Sequence, residues 1–333
     1  MDKKIAVIGV PFESGQSVEG LDQGPDFIRG TDLMSMITKL GYSVTDYGNI
    51  ESAYVMDDYK AYRAKYPKTF KRNTMQCKRK VAEALYQNDS VLVLGGDRTV
   101  CTGSILGHWS INKNICVVFV GRKPSLHTLL SSPTGNMNEM VFFLIMSEMQ
   151  IEVPWINEFK KVVPVLSVKD LAFIGLHEVN NFEKYIINKY GIKAMSTCDI
   201  DRLGIEAVIR ETIMTINPQM EKEIHLCISV DAFDPIYGPS CNDGTTGGLT
   251  LRETIKLSEA LYDTGMLKVI DIVEVNPNRR SEKENLTTRT SVISTLMAGI
   301  GSKRRGTPEI DPNFYLWEKT NFRRGVKFGI PKK

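Results

Sequence analysis

Ser229-Val230-Asp231-Ala232-Phe233-Asp234-Pro235 closes the apolar run 224–228, and the change from chain-burying residues to two acids and a proline marks the end of a buried strand. Two further runs end the same way, 91–94 in Gly95-Gly96-Asp97-Arg98 and 115–120 in Gly121-Arg122-Lys123-Pro124-Ser125. In an open α/β sheet, ligands gather outside the carboxyl ends of the strands, so these three ends are where chemistry is to be sought.

Working outward, short Val- and Ile-rich runs alternate with longer amphipathic stretches, the pattern of βαβ units. Strands are predicted at 5–10, 91–94, 115–120, 171–176, 193–197, 223–230 and 267–273, and helices at 25–40, 75–87, 182–190, 203–216, 250–262 and 287–300. Thr250 followed by Glu253 is a capping box at a helix start. The expected fold class is α/β, a mainly parallel sheet between helical layers. No linker interrupts the alternation, so one domain over 1–333 is expected, including a C-terminal tail at 307–333.

The chain has 333 residues, 42% of them hydrophobic, enough for a full core, and a formal charge of +3, too small to imply a polyanionic partner. Cys77, Cys101, Cys116, Cys198, Cys227 and Cys241 show neither Cys-x-x-Cys nor His-Cys zinc spacing and read as reduced thiols. No signal peptide, membrane-length apolar stretch or peroxisomal ending is found, so a cytoplasmic location and no membrane partner are expected.

The strand ends resemble the arginase and agmatinase (ureohydrolase) family, in which they read Gly-Gly-Asp-His, Asp-Ala-His-x-Asp and Asp-x-Asp-x-x-Asp-Pro. The resemblance extends to Gly9-Val10-Pro11-Phe12, Gly15-Gln16, Gly24-Pro25, Gly135-Asn136, Gly247-Gly248-Leu249-Thr250-Leu251-Arg252-Glu253 and Glu274-Val275-Asn276-Pro277. It implies the arginase-like fold, α/β, three-layer α/β/α with a mainly parallel sheet of about eight strands, which the βα alternation supports, and in the family these ends hold two manganese ions. Here the ligand positions carry Arg98, Gly121, Lys123, Ser125 and Ser229, with Asp231 alone retained. Four carboxylates and two imidazoles would balance two divalent ions; these six positions carry about +1 without any metal. One carboxylate cannot hold two hard ions. An ion pair of Asp231 with Arg98 or Lys123 is therefore expected, with no metal and no other cofactor.

The same resemblance bears on catalysis and substrate. Asn138 stands where arginases carry a proton-shuttling His, and an amide does not titrate. Glu274 matches the carboxylate that receives the guanidinium; Thr134 and Asn136 match contacts to the amino-acid end; His127 replaces an Asn, Asn180 an Asp, and Glu183 is a further carboxylate contact. The reading is an arginase-like pseudoenzyme, not an enzyme, without arginine hydrolysis and with a ligand-binding or scaffolding role, its best-matched ligand a small anion such as a carboxylate. The alternative is an active ureohydrolase or amidohydrolase, taking arginine or agmatine to urea through an unrecognised metal site. Arg304 matches a subunit-contact Arg of the trimeric arginases, so a homotrimer is expected, with Arg304 and the apolar tail (Phe314, Tyr315, Leu316, Trp317, Phe322) at the contact.

Other features are read more plainly. The segment 59–80 carries nine Lys and Arg with interleaved aromatics and no acid. Nucleic-acid binding there is the third reading, behind a solvated face, and no nucleic-acid partner is expected. Asp97 and Asp234 are read as braces of the strand ends, and His108, His127, His177 and His225 as scattered single residues. Cys241 beside Arg98 or Lys123 is weighed as a nucleophile and set aside for want of a base.

Overall fold

The computed structural model describes residues 3–152, 156–159, 162–241 and 244–303. Its strands are β1 (Lys3–Val10), β2 (Tyr42–Asn49), β3 (Lys60–Ala61), β4 (Ala64–Lys65), β5 (Ser90–Gly95), β6 (Ile115–Val120), β7 (Leu171–Leu176), β8 (Lys193–Ser196), β9 (Glu223–Ser229) and β10 (Leu267–Val273). Eight of them form one sheet in the order β2-β1-β5-β10-β9-β6-β7-β8, its seven neighbouring pairs all parallel, while β3 and β4 form a small antiparallel hairpin.

Alternating residues of each strand feed two separate cores. Ala6, Ile8 and Val10 of β1 join one, with Val269 and Val273 of β10 and Cys227 of β9; Ile5 and Val7 join the other, with Ile270, Ile272 and Ile228. The first is covered by α3 (Pro67–Gln87) and α4 (Thr99–Ile111). The second is covered by α1 (Gly24–Arg29), α2 (Leu33–Lys39), α6 (Thr197–Leu203), α7 (Ile205–Ile216), α8 (Leu251–Asp263) and α9 (Glu282–Gly299), and α5 (Asn181–Tyr190) follows β7. This is the expected three-layer α/β/α arrangement, and it puts the ends of β5, β6, β9 and β10 side by side at one edge.

The predicted strands are all present within two residues at each end, and the Thr250 capping box is formed, with Thr250 accepting from the Glu253 amide and Glu253 from that of Thr250. Several elements differ: α6 and the β3–β4 hairpin were not predicted, and α3 begins at Pro67, ahead of the predicted 75. β2 was not expected because, at the sheet edge, it is mostly exposed and polar. α4 was missed because its first ten residues are all buried and show no polar face to give a 3.6-residue rhythm. The predicted helix 25–40 is two helices, broken at Gly30-Thr31-Asp32.

Among the described residues, no helix is long and apolar enough to cross a membrane. Arg304 and the tail 307–333 lie outside the described residues, as do Asn242 and Asp243 beside Cys241.

Candidate functional site

The β5 end delivers Arg98 as the residue preceding α4, and the β9 end delivers Asp231 in a single 3-10 turn. Arg98 Nη2 donates to Asp231 Oδ2 at 2.6 Å and Nη1 donates to Ser125 Oγ at 3.1 Å, with all three side chains buried. Ser229 donates its hydroxyl to the other oxygen of Asp231. Thus four of the six positions that resemble ligand positions bond to one another. The expected ion pair is formed, and it is the Arg98 one.

Lys123 is not the second cation at Asp231. It is 34% exposed and pairs with Glu178 at 3.5 Å, whereas its neighbour Arg122, buried, reaches Asp231 Oδ2 with Nε at 3.4 Å. Arg122 also pairs with Glu178 and donates to Thr245 Oγ1 at 3.0 Å. Reading the motif strictly in register hid Arg122, because it sits between two ligand positions. An unbroken Arg-Lys pair after a strand, one residue facing in and the next facing out, is the signal that could have found it.

Glu274, after β10, is buried at a backbone φ of +68°, accepts from the Arg98 amide at 3.1 Å and from Gln16 Nε2 at 3.0 Å. Arg98 Nε lies 3.5 Å from Glu274 Oε1, an ion-pair contact too long for a hydrogen bond, and Nε has no hydrogen-bond partner. The carboxylate that resembles a guanidinium receiver therefore already faces a guanidinium of its own chain.

Charge follows geometry. Burial would raise the Asp231 carboxyl, but Arg98 and Arg122 outweigh it and hold it below the ordinary range. At Glu274 burial prevails and raises the pKa, with Asp231 adding to it and Arg98 opposing. Burial would lower Arg98, and the neighbouring carboxylates Asp231 and Glu274 raise it instead. Three cations, Arg98, Arg122 and Lys123, contact Asp231, Glu274 and Glu178, so the excess of about +1 counted over six positions is offset once Arg122 and the two glutamates are included.

Could the residues present hold two manganese ions? They do not fit. Asp231 is the one carboxylate at the ligand positions and both its oxygens are engaged. A Cβ on Gly121 would lie 2.3 Å from the Phe119 ring, which is packed edge-on against Phe142 and Phe173. No carboxylate can be placed at 121 without moving that buried ring. Hard ions need several oxygen ligands, and guanidinium groups supply none.

The remaining predicted residues form a rim. Asn180 caps α5, accepting from the Glu183 amide at 3.0 Å, and its Nδ2 donates to Glu183 at 2.8 Å and to His127 Nε2 at 2.7 Å. His127 therefore accepts at Nε2 and donates from Nδ1 to Ser131 Oγ at 3.1 Å, and burial lowers its pKa. Glu183 is buried and pushed up to about 7 by that burial, against the Leu126 and Asn180 groups that favour its charged form. Asn136 accepts from Lys65 Nζ at 3.0 Å and from Ser17 at 3.2 Å; Thr134 is exposed and accepts from the Asn136 amide. Asn138 is buried, its amide on the Gly15 carbonyl at 2.9 Å.

Asp97 and Asp234 are braces, as read. Asp97 accepts from the Gly15 and Thr99 amides, Asp234 from those of Ile236 and Gly247. Cys241 is fully buried, which removes it as an exposed nucleophile. His108 and His225 are not scattered: their Nδ1 atoms lie 3.3 Å apart. The basic segment 59–80 meets acids from outside itself, Lys68 with Asp57, Lys80 with Glu83 and Tyr59 with Glu158, and part of it lines a groove of about 640 Å³.

A sheet in this order, with its chemistry at the joined carboxyl ends, defines an α/β protein of the ureohydrolase kind. The Arginase family model matches residues 3–299, and the chain belongs to that family. It is 34% identical over 305 residues to the hepatic arginase of Aquarana catesbeiana, covering 91% of this chain and 94% of that one, and 34% identical to Arginase-1 of Oryctolagus cuniculus over 91% and 95%. Among solved structures, the arginase of Bacillus subtilis superposes with a TM-score of 0.80 at 27% identity, over 91% of this chain and 99% of that one. These findings correct the expectation that the chain is not an enzyme: the relatives that share nearly its whole length are named arginases, and the similarity favours an arginase-like enzyme.

Proposed function

We propose that the chain is an arginase-like protein that takes a small carboxylate-bearing, amino-acid-like ligand at the rim, over a centre built on ion pairs in place of a manganese pair. The observation that carries the ligand class is Lys65. Its ammonium stands beside Asn136 and Ser17, and among the described residues it meets no carboxylate within ion-pair distance. A ligand carboxylate would complete that arrangement, and Gln16, next to Ser17, connects it to Glu274 on the floor. The same reading makes arginine a poor ligand at the floor, where Arg98 faces Glu274.

A second reading is favoured by one specific observation, that the relatives at 34% identity are named arginases. On it, arginine or agmatine is hydrolysed to urea with a metal held by residues other than those at the strand ends. One experiment separates the two: urea release from each substrate with added manganese and with chelator, beside thermal shift with arginine, ornithine and acetate. The first reading expects stabilisation by carboxylates that Lys65→Ala removes and that chelator leaves unchanged. Manganese-dependent turnover would establish the second. A homotrimer, supported by the resemblance around Arg304, belongs to the same proposal and is checked by light scattering.

A further inference from the structure

The outer face of α3 carries a charged groove that the centre at the strand ends does not use. Phe70, Thr74, Cys77, Val81 and Leu85 form the inner face of that helix and are buried. Glycines let α4 approach it closely: a Cβ on Gly103 would lie 2.8 Å from the Thr74 carbonyl oxygen, and one on Gly107 2.8 Å from that of Lys78. Backbone contact on the inner side makes α3 a rigid platform for whatever stands on the outer side. Lys68, Lys71, Arg72, Met75 and Arg79 stand there at helical spacing, and with Glu158 they line the groove of about 640 Å³. We propose that this groove binds a compact oligophosphate, its linked phosphate groups held by Lys71, Arg72 and Arg79.

Charge selects the ligand class. Among the described residues, Lys71, Arg72 and Arg79 meet no carboxylate within ion-pair distance, while Lys68 is held by Asp57 at 2.8 Å and Glu158 by the Tyr59 hydroxyl. Two guanidinium forks and an ammonium on one face match phosphate oxygens, which a guanidinium takes two at a time. At a rise of about 1.5 Å per residue, Arg72 and Arg79 start about 10 Å apart along the axis, a gap that two arginine side chains and a triphosphate span together. The helix also carries these charges against its own dipole: no acid lies in its first turn and no cation in its last. Asp58, outside the helix, already accepts from the Lys68 and Thr69 amides, so the ligand is met by side chains and not by the helix end. Cations gathered where the dipole disfavours them cost stability, and a bound anion offsets that cost.

That the ligand is compact follows from where the positive charge stops. At one end of the groove Asp57 occupies Lys68 and Glu158 stands beside it. Beyond the other end Lys80 is paired with Glu83 at 3.2 Å, and residues 81–87 contain no Lys or Arg. An extended phosphodiester strand leaving the groove in either direction would meet carboxylates, whereas a short phosphate chain ends within it. The volume agrees, since about 640 Å³ lies within the range of small-molecule sites.

This inference does not rest on the rim ligand, because Lys65 does not line the groove. The test is titration calorimetry of the full-length protein, without divalent ions, against inorganic tripolyphosphate, ATP and a single-stranded RNA of about ten nucleotides. Expected is one saturable tripolyphosphate site per chain whose affinity falls as salt rises. Arg72→Ala and Arg79→Ala, both at exposed positions, should each weaken it by about 10-fold or more. Lys78→Ala, which removes a cation of the same helix outside the groove, should leave it within about twofold. Equal affinity for ATP places recognition in the phosphates alone, and tighter ATP extends the same site to a nucleoside; either result supports the proposal. It is overturned if tripolyphosphate shows no saturable binding, if Lys78→Ala costs as much as the arginine variants, or if the RNA binds more tightly than tripolyphosphate. The comparison of the two ligands on the unmodified protein decides the matter where a variant fails to fold.

Discussion

Arg98 and Asp231 form a buried ion pair of 2.6 Å at the carboxyl edge of the sheet, the guanidinium bonded also to Ser125 and the carboxylate also to Ser229 and Arg122. Two charges placed there are tolerated because each has the other and because a hydroxyl group bonds each of them as well, while Arg98 Nε has only its ion-pair contact with Glu274. The pair is a structural necessity for its own members rather than a large source of stability.

Removing one partner should be costly. Asp231→Ala leaves both Arg98 and Arg122 facing a buried space without their shared carboxylate, and is expected to destabilise the fold by about 3–5 kcal/mol in urea denaturation. Arg98→Met combined with Asp231→Leu should recover much of that loss. A double variant no more stable than Asp231→Ala would show that the pair contributes more than it costs to bury.

The two adjacent cations should separate cleanly. Lys123 is partly exposed and its pair with Glu178 is long, so Lys123→Ala is expected to shift stability by less than about 1 kcal/mol. Arg122→Ala removes a buried member of the cluster and should cost several times more. Equal effects would undo the assignment of Arg122 as the second cation at Asp231.

Glu183 gives a pH signature. Its folded pKa is raised to about 7, while an unfolded Glu titrates near about 4.3. Between those values the folded state holds a proton that the unfolded state has lost, so this group's contribution is fully present below about pH 4 and is lost as pH rises through about 7. Asp231, lowered when folded, acts in the opposite sense at the acid end. Glu183→Gln should flatten the decline in stability from pH 5 to pH 8, and an unchanged pH profile would contradict the raised value.

At Gly121 a single methyl group should be felt. Gly121→Ala places a Cβ against the Phe119 ring and is expected to cost about 1–3 kcal/mol by overpacking. Phe119→Leu in the same chain should relieve part of that strain; if it adds its full cost to that of Gly121→Ala, the ring is not the obstacle.

Much of this was legible in the sequence, and for a definite reason. The buried strands are read from runs such as 115–120, where every residue is apolar, and the strand ends from the Gly, Asp and Pro that follow them. That Asp231 pairs with a cation followed from residue type at aligned positions, which left Arg98 and Lys123 both open; the structure selects Arg98. Arg122 did not, because which of two adjacent cations faces inward depends on the local turn, and Ser125 there adopts a φ of +54° that no composition reveals. The histidines were treated singly, yet His108 and His225, 117 residues apart, meet across the packing of α4 on β9. Such pairings are set by the register of helix on sheet, which is a tertiary property.

The Phe119 ring has a consequence for which side chains position 121 can accept. With the Phe119 ring in the volume beside position 121, any side chain there requires the ring to move at the same time, and the ring is itself wedged between Phe142 and Phe173. Placing a side chain at 121 by single substitution therefore passes through states less well packed than the present one. Side chains at 119 and 121 are thus coupled, and the pair can be exchanged together more readily than one at a time.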